Sequence, residues 1–451
     1  MMFGRRLRDG VVLCVTAILA WGGVSLADAA TLHVPGKYKT IREALAVAKP
    51  GDIVQAAPGL YKERVKLKPG IHLKGGGADK TVITGGGKGN VVEGADEAII
   101  EGFTIRGSGK MGKAGVTANV GINADHITMT IRNNRITGNN IGIRTYFSPS
   151  HITGNTIDGN GWHGIYILYS APLVRNNIIH HNKGNGIYCS YSSGTELANN
   201  TLGPNGSASI YSEVSRVIVR NNIVALNKGG KGIMWAEFLE GQQGVEPILS
   251  HNLFWGNGED YFRVKPGMGD VTDDPLFVDA AAGNYRLKAG SPAINAGSPA
   301  EIFNDPDGSR NDMGAFGGPV APGGAVDMAI AEKSEKKIAE ADYTGKDTWA
   351  DDKESGMGNF MQFCAQCHGK EGRGDGPVAQ GLDTQPRNLT DGNYLKNRTD
   401  EELFKTIKEG GAASGFSESM MPFGSLLSDS AVRKVIAFIR QDLCKCTHTK
   451  E

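Results

Sequence analysis

The chain has 451 residues, a length that corresponds to two or three domains. Glycine is the compositional outlier, 64 of 451 or about 14% against a usual level of about 7%, without the three-residue period of a collagen. Lys+Arg and Asp+Glu balance at 48 each, which argues against the basic face of a nucleic-acid binder, and 39% hydrophobic residues are too many for a disordered chain.

Residues 1–30 read as a secretory signal. Arg5, Arg6 and Arg8 form a basic start, Val11 to Trp21 is an apolar stretch too short to span a bilayer, and Ala27-Asp28-Ala29 offers a small-x-small cleavage site. The expected location is therefore periplasmic or secreted, and no later segment of the sequence is long and apolar enough to be a transmembrane helix.

From residue 131 a phrase recurs: Arg132-Asn133-Asn134-Arg135-Ile136, Arg175-Asn176-Asn177-Ile178-Ile179, Ala198-Asn199-Asn200-Thr201-Leu202 and Arg220-Asn221-Asn222-Ile223-Val224. Asn134, Asn155, Asn177, Asn200 and Asn222 are spaced by about 22 residues. A second register, Gly142-Ile143, Gly164-Ile165, Gly186-Ile187, Ser209-Ile210 and Gly232-Ile233, keeps nearly the same period. Short alternating apolar stretches with Asn/Gly corners at that period predict coils of three short strands, with recurrent Asn side chains hydrogen-bonding up the stack.

On these residues the region resembles right-handed parallel β-helix proteins of the pectate-lyase-like class. The stretch from Tyr38 to Leu45 followed by Pro50-Gly51-Asp52-Ile53-Val54 is similar to that family's opening, with an amphipathic helix over about Lys39 to Ala48 closing the coil. Residues 274–279 and Gly290-Ser291-Pro292-Ala293-Ile294 resemble its C-terminal finish. The expected organisation is a β-helix over 31–320, a linker over 321–349 rich in Ala, Lys, Glu and Asp, and a small all-α domain over 350–451.

Cys364-Ala365-Gln366-Cys367-His368 carries the strongest chemical signal. Two thiols at that spacing can form thioethers to the vinyl groups of one haem, and the adjacent His reaches the iron. A zinc site would need a second Cys/His pair at finger spacing, which the sequence lacks. The domain resembles class I monohaem cytochromes c, so the chain as a whole is expected to be multidomain, an all-β right-handed parallel β-helix followed by a small all-α cytochrome c domain. That resemblance implies one covalent haem c, a redox partner protein and no substrate at the iron. It places Gly356, Phe360 and Phe438 at a helix crossing, Met421 of Met421-Pro422 as sixth ligand with Met420 as competitor, and Arg387 beside a propionate. Cys444-Lys445-Cys446-Thr447-His448 has the wrong spacing for a haem and is read as an exposed tail, oxidised or not, or as a metal clip.

Strand alternation assigns the faces of the β-helix. Ile143, Thr145, Ile165, Ile167, Ile187, Cys189, Ile210 and Ser212 point inward. Arg144, Tyr146, Tyr166, Leu168, Tyr188, Ser190, Tyr211, Glu213 and Met234 point outward, with Tyr166, Tyr188 and Tyr211 stacked as a column. Tyrosines with Arg144 and Glu213 beside them suit a sugar chain, because rings pack on pyranose faces and polar tips bond hydroxyls. Repetition alone also stacks like residues. For catalysis, Asp158 and Glu213 are isolated carboxylates, while His163, Tyr166, Tyr188 and Arg144 are the groups a lyase or epimerase would need. Asp305, Asp307 and Asp312 read as a turn-rich cap with a calcium site as alternative.

Three functions remain open on these grounds. The first is an exported electron-transfer protein, its monohaem domain tethered to a β-helix that binds a glycan or protein partner. The second is an acidic-polysaccharide lyase or epimerase with an accessory haem. The third is a scaffold or metal-delivery accessory of a periplasmic respiratory enzyme.

Overall fold

The computed structural model describes residues 29–110, 119–192, 194–236, 246–320 and most of 356–447; the signal segment and the linker lie outside these. Residues 31–262 wind into about nine coils, and parallel pairing stacks their strands into three sheets. The first sheet runs from Thr31–Val34 to Ile248–Ser250, the second from Gly59–Tyr61 to Leu253–Trp255, and the third from Val65–Lys66 to Glu259–Phe262. The N-terminal helix spans Ile41–Val47; Thr40 caps it by accepting from the Glu43 amide, and Ile41, Ala44 and Leu45 cover the open end of the core.

Inside the coils the alternation holds as the sequence predicts. Ile143, Thr145, Ile165, Ile167, Ile187, Cys189, Ile210 and Ser212 are all fully buried. Burial raises the Cys189 thiol far above its usual range, so it is a small core residue and not a nucleophile. Each buried Ile contributes roughly 1.5–3 kcal/mol, and in-register stacking repeats that gain coil after coil.

Corners are the harder problem, because a bend leaves backbone groups without strand partners. Three hydrogen-bonded ladders solve it. Between the first and second sheets, the amide Nδ2 of Asn134 donates to Asn155 Oδ1 at 3.2 Å, and the relay continues through Asn177, Asn200, Asn222 and Asn252 at 3.0 Å each. Asp270 accepts the last Asn252 bond and ends the chain of amides. A second ladder, unremarked in the repeat phrase, runs through Asn139, Asn160, Asn182 and Asn205 between the second and third sheets. A third is made of serines: the backbone amides of Ser148, Ser170 and Ser192 donate to the hydroxyl of the serine one coil on, ending at Ser215.

Beyond the last coil, Phe277–Asp279 and Asn284–Leu287 form an antiparallel hairpin that buries Tyr285, and residues 295–318 return along the first corner. There the side chains of Asn176 and Asn199 donate to the carbonyls of Gly317 and Asp312, and Asn221 accepts from the Ser298 amide. Asp305 accepts from the amides of Asp312 and Gly318, Asp307 from Ser309, and Asp312 from Asn295. These carboxylates thus cap turns of the strap, and no cluster able to hold a metal occurs among the described residues.

The C-terminal residues form short helices around one apolar core that includes Phe360, Phe363, Leu395, Ile407, Phe423 and Val435. The helix Asp400–Glu409 begins with a capping box between Thr399 and Glu402, and the terminal helix spans Asp429–Phe438. Gly356 is required where the two ends of this part cross, since a Cβ there would lie 2.4 Å from the Lys434 carbonyl. The Phe360 and Phe438 rings meet beside it at 5.3 Å. The tail corrects one expectation: Cys444 and Cys446 are joined in a disulfide and Cys446 is buried against this core, so the segment is neither an exposed tail nor a pair of free ligands. His448 lies outside the described residues.

The Asn177 side chain makes five hydrogen bonds to four residues, accepting two from Asn155 and donating to Ile152, Arg175 and Asn200. Asn177→Ala should therefore lower the unfolding free energy by at least about 2 kcal/mol, because buried groups are left without partners. The exposed Lys183→Ala should stay within about 0.5 kcal/mol in the same denaturant titration.

Candidate functional site

The pentapeptide motif spans the end of one helical turn, Phe360–Cys364, and the next, Ala365–His368, which Gly369 terminates at φ 79°. Cys364 and Cys367 are thiols, not a disulfide. Burial, and then the neighbouring Cys367, push the Cys364 thiol up to about 12, and burial raises Cys367 as well. Both are therefore neutral thiols, poor metal thiolates. Alkylation at sulfur suits such a place, since a thioether carries no proton to titrate and no charge to bury.

His368 Nδ1 lies 2.8 Å from the Arg387 carbonyl oxygen. A carbonyl only accepts, so Nδ1 carries the proton and Nε2 keeps its lone pair. Burial holds the imidazole below its usual range, which preserves this neutral tautomer. These three side chains open on a cavity of about 930 Å³, at the top of the range for cofactor sites, with Phe363, Leu395, Ile407, Met420 and Phe423 on its wall. Two half-buried neutral thiols about one helical turn apart, an oriented imidazole and a large apolar cleft fit a haem bound through two sulfurs. Met420 lines the cleft; Met421 lies outside the described residues. The Arg387 guanidinium stacks over the Tyr394 ring at 4.3 Å at the edge of the same cavity.

The tyrosine face also forms. Register neighbours across the third sheet are Arg144 to Tyr166, Tyr166 to Tyr188, Tyr188 to Tyr211 and Tyr211 to Met234. The Tyr166 and Tyr188 rings are 5.1 Å apart and those of Tyr188 and Tyr211 4.9 Å, the latter within 5° of parallel. Tyr146 stands in the adjacent column, headed by Asp125 and continuing to Leu168, Ser190 and Glu213. Glu213 Oε2 accepts from Tyr188 at 2.6 Å and from Ser190 at 2.8 Å.

The groups that acid–base chemistry would need are committed elsewhere. Burial, then the Glu213 carboxylate, raise the Tyr188 phenol well above its ordinary value, and the same two causes raise Tyr166 and Tyr211. Burial lowers His163 to about 3; its Nδ1 accepts the Asn185 amide and its ring is stacked against Tyr166 and Tyr188. Arg144 Nη1 donates to Asn123 and faces Asp125 at 3.5 Å. Asp158 lies on the second sheet, gripped by two nitrogens of Arg135, so it does not share a face with Glu213.

A second set of aromatic side chains borders this face. His126, Phe147, Tyr169 and Tyr191 occupy successive third corners in the left-handed region, with φ between 45° and 56°. The Phe147 and Tyr169 rings stack at 5.1 Å, as do those of Tyr169 and Tyr191. Their spacing of about 22 residues, each aromatic ring preceding a buried ladder serine from Phe147 onward, is the signal that could have found them.

Comparison with known proteins gives two family matches. The family described as the right handed beta helix region matches residues 69–224 and 118–268, and the family described as cytochrome C oxidase, cbb3-type, subunit III matches residues 351–439. The chain joins a parallel β-helix to a cytochrome c-type domain. Among solved structures, the catalytic domain of a GH87 alpha-1,3-glucanase in complex with nigerose is 15% identical over 50% of this chain, with a TM-score of 0.40. The chain spans 45% of that glucanase domain. The pectin methylesterase from Aspergillus niger is 14% identical, covering 60% of this chain and 93% of its own, at a TM-score of 0.37. The A-module of the mannuronan C-5 epimerase AlgE4 from Azotobacter vinelandii is 14% identical, covering 52% and 94%, at 0.27. No curated protein matches the chain in sequence.

After burial, Glu213 is the main cause that holds the Tyr188 phenol high. Glu213→Gln removes that negative charge, so tyrosines should then ionise at lower pH in an absorbance titration, and the change should be smaller in a Tyr188→Phe background, where only Tyr166 and Tyr211 still respond. An unaltered titration would mean that burial alone sets the phenol.

Proposed function

We propose that the protein is an exported electron carrier, in which a monohaem cytochrome c domain is tethered to a β-helix that binds a glycan. The observation that carries the first half is the His368 Nδ1 bond to the Arg387 carbonyl, which leaves Nε2 available beside two neutral thiols in an apolar cleft. Cys364 and Cys367 would hold the haem through thioethers, His368 and Met421 would ligate its iron, and Arg387 would pair with a propionate. When bound, the haem supplies one-electron exchange between ferric and ferrous states. The residues around it fix the imidazole and present an apolar wall that would keep water away. A periplasmic or secreted location follows from the thioether chemistry and the N-terminal segment together. No helix among the described residues is long and apolar enough to cross a membrane.

The second half rests on the tyrosine column. Three partly exposed rings on one face, with a carboxylate beside them, suit stacking on pyranose faces. Binding is favoured over catalysis because the tyrosines are protonated, His163 is sandwiched and Arg144 is neutralised by Asp125.

Separate experiments test these halves. Cys367→Ser should leave one thioether and alter the reduced α-band; an unchanged spectrum rejects the attachment. Met421→Ala should open the iron to carbon monoxide, and the same result from Met420→Ala alone would move the ligand by one residue. The full chain should bind one of a panel of acidic and neutral polysaccharides, and Tyr188→Ala should weaken that binding about tenfold, since a stacked ring contributes on the order of 1 kcal/mol. Shortened or unsaturated products by mass spectrometry would instead favour a lyase, and no binding at all would leave a protein partner for the face.

A further inference from the structure

The cavity beside the motif is not closed by the cytochrome domain alone. His126, Tyr146, Phe147 and Tyr169 of the β-helix line the same 930 Å³ space as Cys364, Cys367 and His368. These are the third-corner aromatics and the one outward tyrosine next to them. The Tyr146 ring packs edge-on against Phe147 at 4.7 Å, and Phe147 stacks on Tyr169 at 5.1 Å, so the three make one continuous apolar surface. The surface is rigidly presented, because Ser148 and Ser170, immediately after Phe147 and Tyr169, are fully buried ladder members.

We propose that Tyr146, Phe147 and Tyr169 are the second wall of the haem cleft, so that the β-helix sets the redox potential of the haem. This inference rests on the haem reading above. A dry aromatic wall disfavours the oxidised state, which carries one more positive charge than the reduced one, and so raises the potential. The wall is a positioning and tuning surface; it takes no part in ligation.

The test uses full-length protein carrying its haem, titrated potentiometrically while the reduced α-band is followed. Tyr169→Glu places a negative charge at the wall and should favour ferric haem; Tyr169→Lys should do the opposite. Between the two, the ratio of reduced to oxidised haem at a fixed potential should differ at least about tenfold, equivalent to about 59 mV for a one-electron couple. Merely loosening the fold would shift both variants in one direction, so the opposed signs report the wall itself. The control pair Leu60→Glu and Leu60→Lys, at an exposed position near the N-terminal end of the second sheet, should show no opposed shift. If the Tyr169 pair fails to fold, Tyr146→Glu and Tyr146→Lys, on a strand rather than a strained corner, are read in the same way. Equal potentials for the Glu and Lys variants overturn the inference while the thioether spectrum still stands. Absence of that spectrum from the unmutated protein overturns the haem reading instead.

Discussion

The structure depends on corner groups finding partners one coil away. Strand pairing along three sheets accounts for the flat faces, but a coil of about 22 residues must also turn three times, and each turn strips backbone amides of their ladder. Asparagine at two corners and serine at the third supply the missing bonds, all at positions buried to less than a tenth of their surface. Because each side chain bonds the equivalent residue of the next coil, the ladders fix register as well as stability. A one-residue slip would put the inward isoleucines outside and break all three relays together.

That rigidity explains how unfavourable backbone is tolerated. An aromatic residue in the left-handed region costs roughly 1–2 kcal/mol, yet Phe147, Tyr169 and Tyr191 adopt it in succession. The buried serine after each one determines the turn, and stacking of the rings returns part of the cost. The result is a stiff aromatic edge beside a tyrosine face whose hydroxyls and carboxylate are already organised. The cytochrome domain reaches its own precision differently: Gly356 permits the crossing of its terminal segments, and a single backbone carbonyl, that of Arg387, orients His368.

Much of this was legible in the sequence because it repeats. The 22-residue period gave the coil, the Asn134-to-Asn222 ladder and the inward and outward sets, down to Cys189 as a core residue. The spacing in Cys364–His368 gave the haem motif, and Gly356, Phe360 and Phe438 met where the resemblance placed them. What escaped had no type-specific signature. The Arg387 carbonyl serves His368 through the backbone, which any residue offers. The burial of Cys446 depends on tertiary packing, which the neighbouring Lys445 and Thr447 do not advertise. The corner aromatics were periodic but hidden by a change of residue type, from His126 to Phe147 to Tyr169. Their meeting with Cys364, Cys367 and His368 around one cavity is a relation between distant parts of the chain, and no local pattern encodes it.

The ladders also show where the architecture can grow. Asn222 and Asn252 bond at the same 3.0 Å as their neighbours, although 30 residues separate them where 22 or 23 separate the pairs before. Asn227 and Asn257 repeat that spacing at the second corner. A coil can therefore accept about eight additional residues without disturbing its hydrogen-bonded frame. Such a scaffold separates inheritance of the frame from innovation on its surface: loops can be gained, lost or exchanged one coil at a time, while the coils beneath keep count.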